Sequence, residues 1–137
     1  MPVTNAILSA GWNVIDTTKD AVYRDDFGRT HAMLRGGVKC DRAGETITVK
    51  WHGTTIGFSD IPQGNEVVVE VTIDGSATPV AIKRPQTEKQ RKYARFFYLP
   101  EQAPGGHTAV LRVKSLPAGM PFYAGQVLVV GRPVKNL

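Results

Sequence analysis

Apolar and polar residues alternate with a period of two along most of this chain, and that period predicts strands. Between Glu45 and His52, the residues Ile47, Val49 and Trp51 fall on one side and Thr46, Thr48, Lys50 and His52 on the other. The first side reads as core, the second as solvent. Glu66 to Asp74 repeats the pattern through Val67, Val69, Val71 and Ile73, and Asp74-Gly75 then offers a turn dipeptide suited to positive φ. A hairpin into Thr78 to Lys83 is therefore expected. Lys92 to Leu99, Thr108 to Lys114 and Gln126 to Val130 read as further strands, separated by Pro100 to Gly106 and by Pro117 to Pro121, with Ala21 to Tyr23 and His31 to Leu34 as shorter ones. No segment carries a helical period. The pattern predicts an all-β fold, a two-sheet antiparallel β-sandwich of jelly-roll type, with a barrel as the alternative.

The length, 137 residues, suits one domain large enough to bury a core without covalent staples. Residues 1–137 are read as that single domain, with the core at about 12–131 and residues 132–137 as a tail or linker, since Pro133 is unsuited to a central strand. The longest aliphatic runs, Val67 to Val69 and Val127 to Val130, fall far short of the roughly 20 apolar residues of a membrane-spanning helix. Met1 to Gly11 lacks the basic and apolar parts of a signal peptide. No membrane partner is expected, and a secreted or cell-surface setting would have to come from a larger parent protein.

Chemistry narrows the field further. Cys40 stands alone, which rules out an intrachain disulfide and reads as a small core residue rather than a nucleophile. His31, His52 and His107 lack metal-ligand spacing, and no nucleophile elbow, phosphate loop or calcium loop occurs, so neither a metal nor a cofactor nor a catalytic residue is assigned. An enzyme would need a site gathered from distant residues such as His52, His107, Asp60 and Asp74.

The net charge is +5, and its densest run is Lys83 to Arg95, in which Glu88 is the lone acid. Such a run is most often a solvated loop. Tyr93 places a ring beside Arg91 and Arg95, a combination that suits an acidic sugar, and Trp12 is a further candidate platform. Tyr93, Arg91, Arg95 and Trp12 are thus the expected ligand contacts. The compact group Tyr23 to Phe27 before Gly28 is a second candidate loop. A rival reading sets Phe97, Tyr98 and Phe122 against a protein partner instead, as an interaction domain without glycan binding. Nucleic acid ranks last as a partner, because no recognised motif accompanies the basic run.

The order Ala21-Val-Tyr-Arg24, Ile47-Thr-Val-Lys-Trp-His-Gly-Thr-Thr-Ile-Gly57, Val69-Glu-Val-Thr-Ile-Asp-Gly75, Arg95-Phe-Phe-Tyr-Leu-Pro100 and Gly106-His-Thr108 resembles the β-sandwich domain that accompanies SGNH/GDSL-type carbohydrate esterases. The resemblance runs from Val22 to Val130 and rests on strands and turns. The Gly-Asp-Ser block and the Asp-x-x-His pair of the catalytic half of those enzymes do not occur here, so no catalytic residue is carried over. What the resemblance implies is a noncatalytic accessory domain of a polysaccharide-active protein, with a polysaccharide or oligosaccharide and a neighbouring catalytic domain as partners. The basic run suggests that the glycan is acidic.

Overall fold

The computed structural model describes residues 1–16, 34–61, 67–84 and 95–134. The expected strands at Ala21 to Tyr23 and His31 to Leu34, and the Tyr23 to Phe27 loop, fall wholly or almost wholly outside them. A short 3-10 helix, Val3–Asn5, precedes nine strands: β1 (Ile7–Leu8), β2 (Asn13–Val14), β3 (Val38–Cys40), β4 (Thr46–Asp60), β5 (Val68–Ile73), β6 (Val80–Lys83), β7 (Arg95–Tyr98), β8 (Gly105–Ser115) and β9 (Phe122–Pro133). Every pairing between them is antiparallel. The all-β expectation is met.

Backbone hydrogen bonds join the strands in one path, β2-β3-β9-β4-β8-β5-β6, with β1 and β7 also on β4. The two halves of the fold are therefore not separate sheets, because the fifteen-residue β4 belongs to both. Its first part, Thr46 to Gly53, lies against β8, whereas Gly57 to Asp60 lies between β9 and β7. The two parts meet at a bulge, where Gly53 and Thr55 oppose the consecutive β9 residues Gly131 and Val130, so that Thr54 is the extra residue. One extra residue inverts which side chains point inward. Ile47, Val49 and Trp51 face the core before the bulge, and Ile56 and Phe58 face it afterwards, all five at most 2% exposed. They join Val69, Val71, Leu111 and Val113 from one half and Val38, Phe122 and Val127 from the other in one apolar core.

The bulge requires backbones to approach closely. Gly53 and Gly131 are register partners, and a Cβ on Gly53 would sit 1.8 Å from the Val130 carbonyl oxygen. Glycine is the residue that fits there, and φ of 153° at Gly53 and 127° at Gly131 adds to the demand. The expected turn at Asp74-Gly75 forms with φ of 54° and 68°, closed by the Ser76 N–H bond to the Ile73 carbonyl, 3.1 Å.

The ends of the chain depart from the expected boundaries. Val3 is fully buried and Pro2 bridges to Gln126, so the packed structure begins before residue 12. At the other end β9 continues through Arg132 and Pro133, and the Val134 N–H donates to the Lys50 carbonyl at 2.9 Å. Pro133 lacks an N–H to donate, yet it opposes Trp51 at the end of the β4–β9 pairing, where that donor is dispensable. Phe97 and Phe122, which the rival interaction-domain reading sets against a protein partner, are core residues at 6% and 1% exposure.

Candidate functional site

The outer face of the β7, β4 and β9 layer is read directly from the register. Tyr98 on β7, Gly57 on β4 and Leu128 on β9 form one row across three strands. Thr55 and Val130 form the next. Because Phe97 and Val127 turn inward, Phe96, Tyr98, Leu128 and Val130 turn outward, and Tyr98, Leu128 and Val130 are 57%, 39% and 61% exposed. The Tyr98 ring lies over Gly57, where a Cβ would be only 2.5 Å from its Cδ1. Glycine thus lets the ring lie down on the sheet with one face outward. The Phe96 ring is nearly parallel to it, at 21° and 6.2 Å between centroids.

Beyond the bulge the same face carries two cations and an imidazole. His52 on β4 opposes Arg132 on β9, and Lys50 follows two residues along β4; all three are exposed.

Two carboxylates outside this face are committed to structural pairs. Asp60, fully buried at the end of β4, accepts from Arg84 Nε and Nη2, both at 2.7 Å, while the guanidinium sits 4.6 Å from the Phe97 ring centre. Burial pushes the Asp60 carboxyl up, and Arg84 pulls against that shift. At the start of β8, His107 Nδ1 is 2.6 Å from Asp74 Oδ2 and its Nε2 is 2.6 Å from the Ala103 carbonyl oxygen. Both partners are acceptors, so the geometry asks both ring nitrogens to donate, which is the imidazolium form. The Asp74 hydrogen bond is the first cause that raises the His107 pKa, and the same bond lowers that of Asp74. The described residues bring His107 and Asp74 together but put Asp60 in a separate buried pair and His52 on the outer face.

Of the expected ligand contacts, Arg95 is exposed at the start of β7, opposite Asp60. Trp12 is half-buried, donates its indole N–H to the Thr46 carbonyl at 3.0 Å and meets Phe122 edge-on at 6.2 Å. Arg95 and Trp12 therefore attach to opposite ends of β4 and do not share one site. Arg91 and Tyr93 lie outside the described residues. Of the three aromatics that the interaction-domain reading sets against a partner, Tyr98 is the exposed one; the burial of Phe97 turns it outward. The signal available was Gly57 between the apolar Ile56 and Phe58, a position where a neighbouring ring lies down.

The sequence matches no family model and no curated protein. Solved structures do resemble the fold. A family two carbohydrate esterase from Cellvibrio japonicus superposes with a TM-score of 0.71 at 11% identity, over 98% of this chain and 34% of that one. Carbohydrate esterases are its structural neighbours. A two-domain esterase active on acetylated mannans, crystallised with mannopentaose, matches with a TM-score of 0.64 at 18% identity, over 97% of this chain and 35% of that one. A family two esterase from Clostridium thermocellum in complex with cellohexaose gives 0.53 and 17%, over 93% and 34%. At these identities the likeness is one of fold, and the chain spans about a third of the length of the esterases it matches.

Proposed function

We propose that this domain is a noncatalytic, carbohydrate-binding-like accessory module of a polysaccharide-active protein of the SGNH/GDSL esterase type, built as a jelly-roll sandwich whose two layers are continuous through β4. The observation that carries the reading is coverage: almost the whole chain matches a third of each esterase, leaving the remaining two-thirds to other parts of those proteins. In this reading a neighbouring catalytic domain performs the hydrolysis while the β domain holds glycan near it. Arg95, exposed on β7, supplies a guanidinium for hydroxyl or carboxylate groups, with Arg91 and Tyr93 as the further proposed contacts, while Trp12, at the other end of β4, would serve only a separate subsite. Single-site affinity of this kind is weak, roughly micromolar to millimolar, and gains from repetition along a polymer.

A second reading, an interaction domain packed on a catalytic partner or on its own copies, has the exposed side chains of Leu128, Val130 and Val134 in its favour. One experiment separates the two. The isolated domain is run through native gels containing mannan, cellulose derivatives, xylan or polygalacturonate, and is assayed in parallel for acetyl release from acetylated xylan and mannan. Retardation by a glycan without acetyl release is the expected result. Acetyl release overturns the noncatalytic assignment, and unretarded migration in every gel by a folded protein overturns the binding assignment in favour of the interaction domain.

A further inference from the structure

Strand β9 presents Leu128, Val130 and Arg132 on one outer face at alternate positions, and their β4 partners are Gly57, Thr55 and His52. The bulge at Thr54 keeps this face continuous, since it moves His52 and Thr55 to the same side although they are three residues apart. The apolar end of the strip carries the Tyr98 ring lying on Gly57; the other end carries Arg132, His52 and Lys50. None of these three side chains makes an ion pair among the described residues, in contrast to Lys114, which reaches Glu70 at 3.8 Å. From Leu128 to Arg132 the strip runs about 13 Å at the usual rise of a strand, the length of a short oligosaccharide.

The two ends ask for different chemistry in one ligand. A ring lying flat beside exposed aliphatic side chains suits the C–H face of a sugar, while Arg132, with His52 and Lys50 beside it, suits a carboxylate. We infer that the outer face of β4 and β9 binds a linear glycan bearing carboxylates, a uronate-containing chain, lengthwise, with a sugar ring on Tyr98 and a carboxylate at Arg132 and His52. This rests on the carbohydrate-binding reading above and places the acidic contact on residues other than the basic run around Arg91. A protein partner is the alternative occupant of the strip.

The test is affinity electrophoresis of the whole chain in gels with polygalacturonate, glucuronoxylan or neutral mannan at physiological salt, repeated with dextran sulfate. Polygalacturonate or glucuronoxylan is expected to retard the wild type. The double variant His52→Ala/Arg132→Ala and the variant Tyr98→Leu, which keeps apolar cover but removes the ring, are each expected to weaken that retardation about tenfold. Lys83→Ala, a cation away from the strip, is expected to change it less than about twofold. Thermal unfolding checks that each variant is folded, and Leu128→Ser serves as a second apolar-end variant if Tyr98→Leu does not fold. Binding to mannan alone, insensitive to His52→Ala/Arg132→Ala, overturns this site while leaving the accessory reading intact. Equal losses from Lys83→Ala, or dextran sulfate bound as tightly as the uronates, reduce the effect to bulk charge and overturn it. Failure to bind any glycan overturns both readings and points to the protein partner.

Discussion

His107 and Asp74 tie the start of β8 to the β5–β6 turn through a 2.6 Å contact between Nδ1 and Oδ2. The other Asp74 oxygen accepts from the Thr108 N–H at 2.8 Å, so one carboxylate serves both a ring and a backbone group. This arrangement makes stability depend on pH from two directions. His107 is raised above its ordinary value of 6.5 by Asp74 and then by the Ala103 carbonyl. Its contribution is complete below that ordinary value and disappears as pH rises through the raised one. Asp74 is lowered from 3.8, first by His107 and then by Thr108. Its contribution is complete above that ordinary value and disappears as pH falls through the lowered one. Between the two the link is whole. Urea midpoints measured across the pH range should therefore fall on the alkaline side for the wild type and lose that fall in His107→Asn. Identical profiles for the two proteins would count against the link.

The Asp60 and Arg84 pair stabilises through mutual satisfaction rather than through charge alone. Arg84→Met leaves a buried carboxylate without its partner and is expected to cost about 3–5 kcal/mol in chemical denaturation. Removing both, as Asp60→Leu/Arg84→Met, should recover most of that loss, because an apolar pair of similar size needs no desolvation of charge. A double variant as unstable as the single one would contradict this account.

At the bulge, Gly53→Ala sets a Cβ against the Val130 carbonyl and Gly131→Ala sets one 2.0 Å from the His52 carbonyl oxygen. Both contacts are with backbone, so neither relaxes by a rotamer change. Each substitution is expected to cost about 3 kcal/mol or to prevent folding. Gly44→Ala, where φ is 99° but no atom stands within 4 Å, should cost only about 1 kcal/mol from the backbone angle. Comparable losses at all three positions would mean that strain, and not steric approach, governs the bulge.

Cys40 sits in the core at 2% exposure, and burial is the main cause that pushes its thiol up to about 11. At neutral pH the thiol stays protonated, and the thiolate is the species that attacks a disulfide reagent. Ellman's reagent is thus expected to label the folded protein negligibly and the urea-unfolded protein fully. Rapid labelling under native conditions would show that β3 opens.

Much of the fold was legible because its signals are local. Ile47, Val49 and Trp51 announce their inward face by alternation, and Asp74-Gly75 announces a turn that tolerates positive φ. The crossing of β4 between halves was legible only in hindsight: Ile56 and Phe58 are out of phase with Trp51, and an odd residue has to be absorbed between them. The site was harder. Arg84 and Asp60 are 24 residues apart, one after the end of β6 and the other at the end of β4, and their meeting is a tertiary contact that no periodicity carries. Trp12 offered itself as a platform by residue type, yet its N–H is drawn to the Thr46 carbonyl by the packing of the N-terminal segment. Tyr98 could not be told from Phe97 and Phe122 as a surface ring, because strand alternation alone leaves the choice of core face to tertiary partners, here Phe58, which stacks on Phe97 at 5.8 Å between centroids.

Strand β4 exchanges register with Ile7 near the beginning of the chain and with Pro133 near its end. A polypeptide leaving the ribosome therefore presents this central strand long before the last of its neighbours exists. Thr46 to Asp60 must wait, with Trp51, Ile56 and Phe58 uncovered, until β9 has been synthesised some seventy residues later, as the spacing of Asp60 and Pro133 sets. During that interval the half-made domain is a strand in search of a partner, and folding of such long-range topology is slow. Truncations that stop before β9 should therefore be recovered as aggregates rather than as a smaller folded unit.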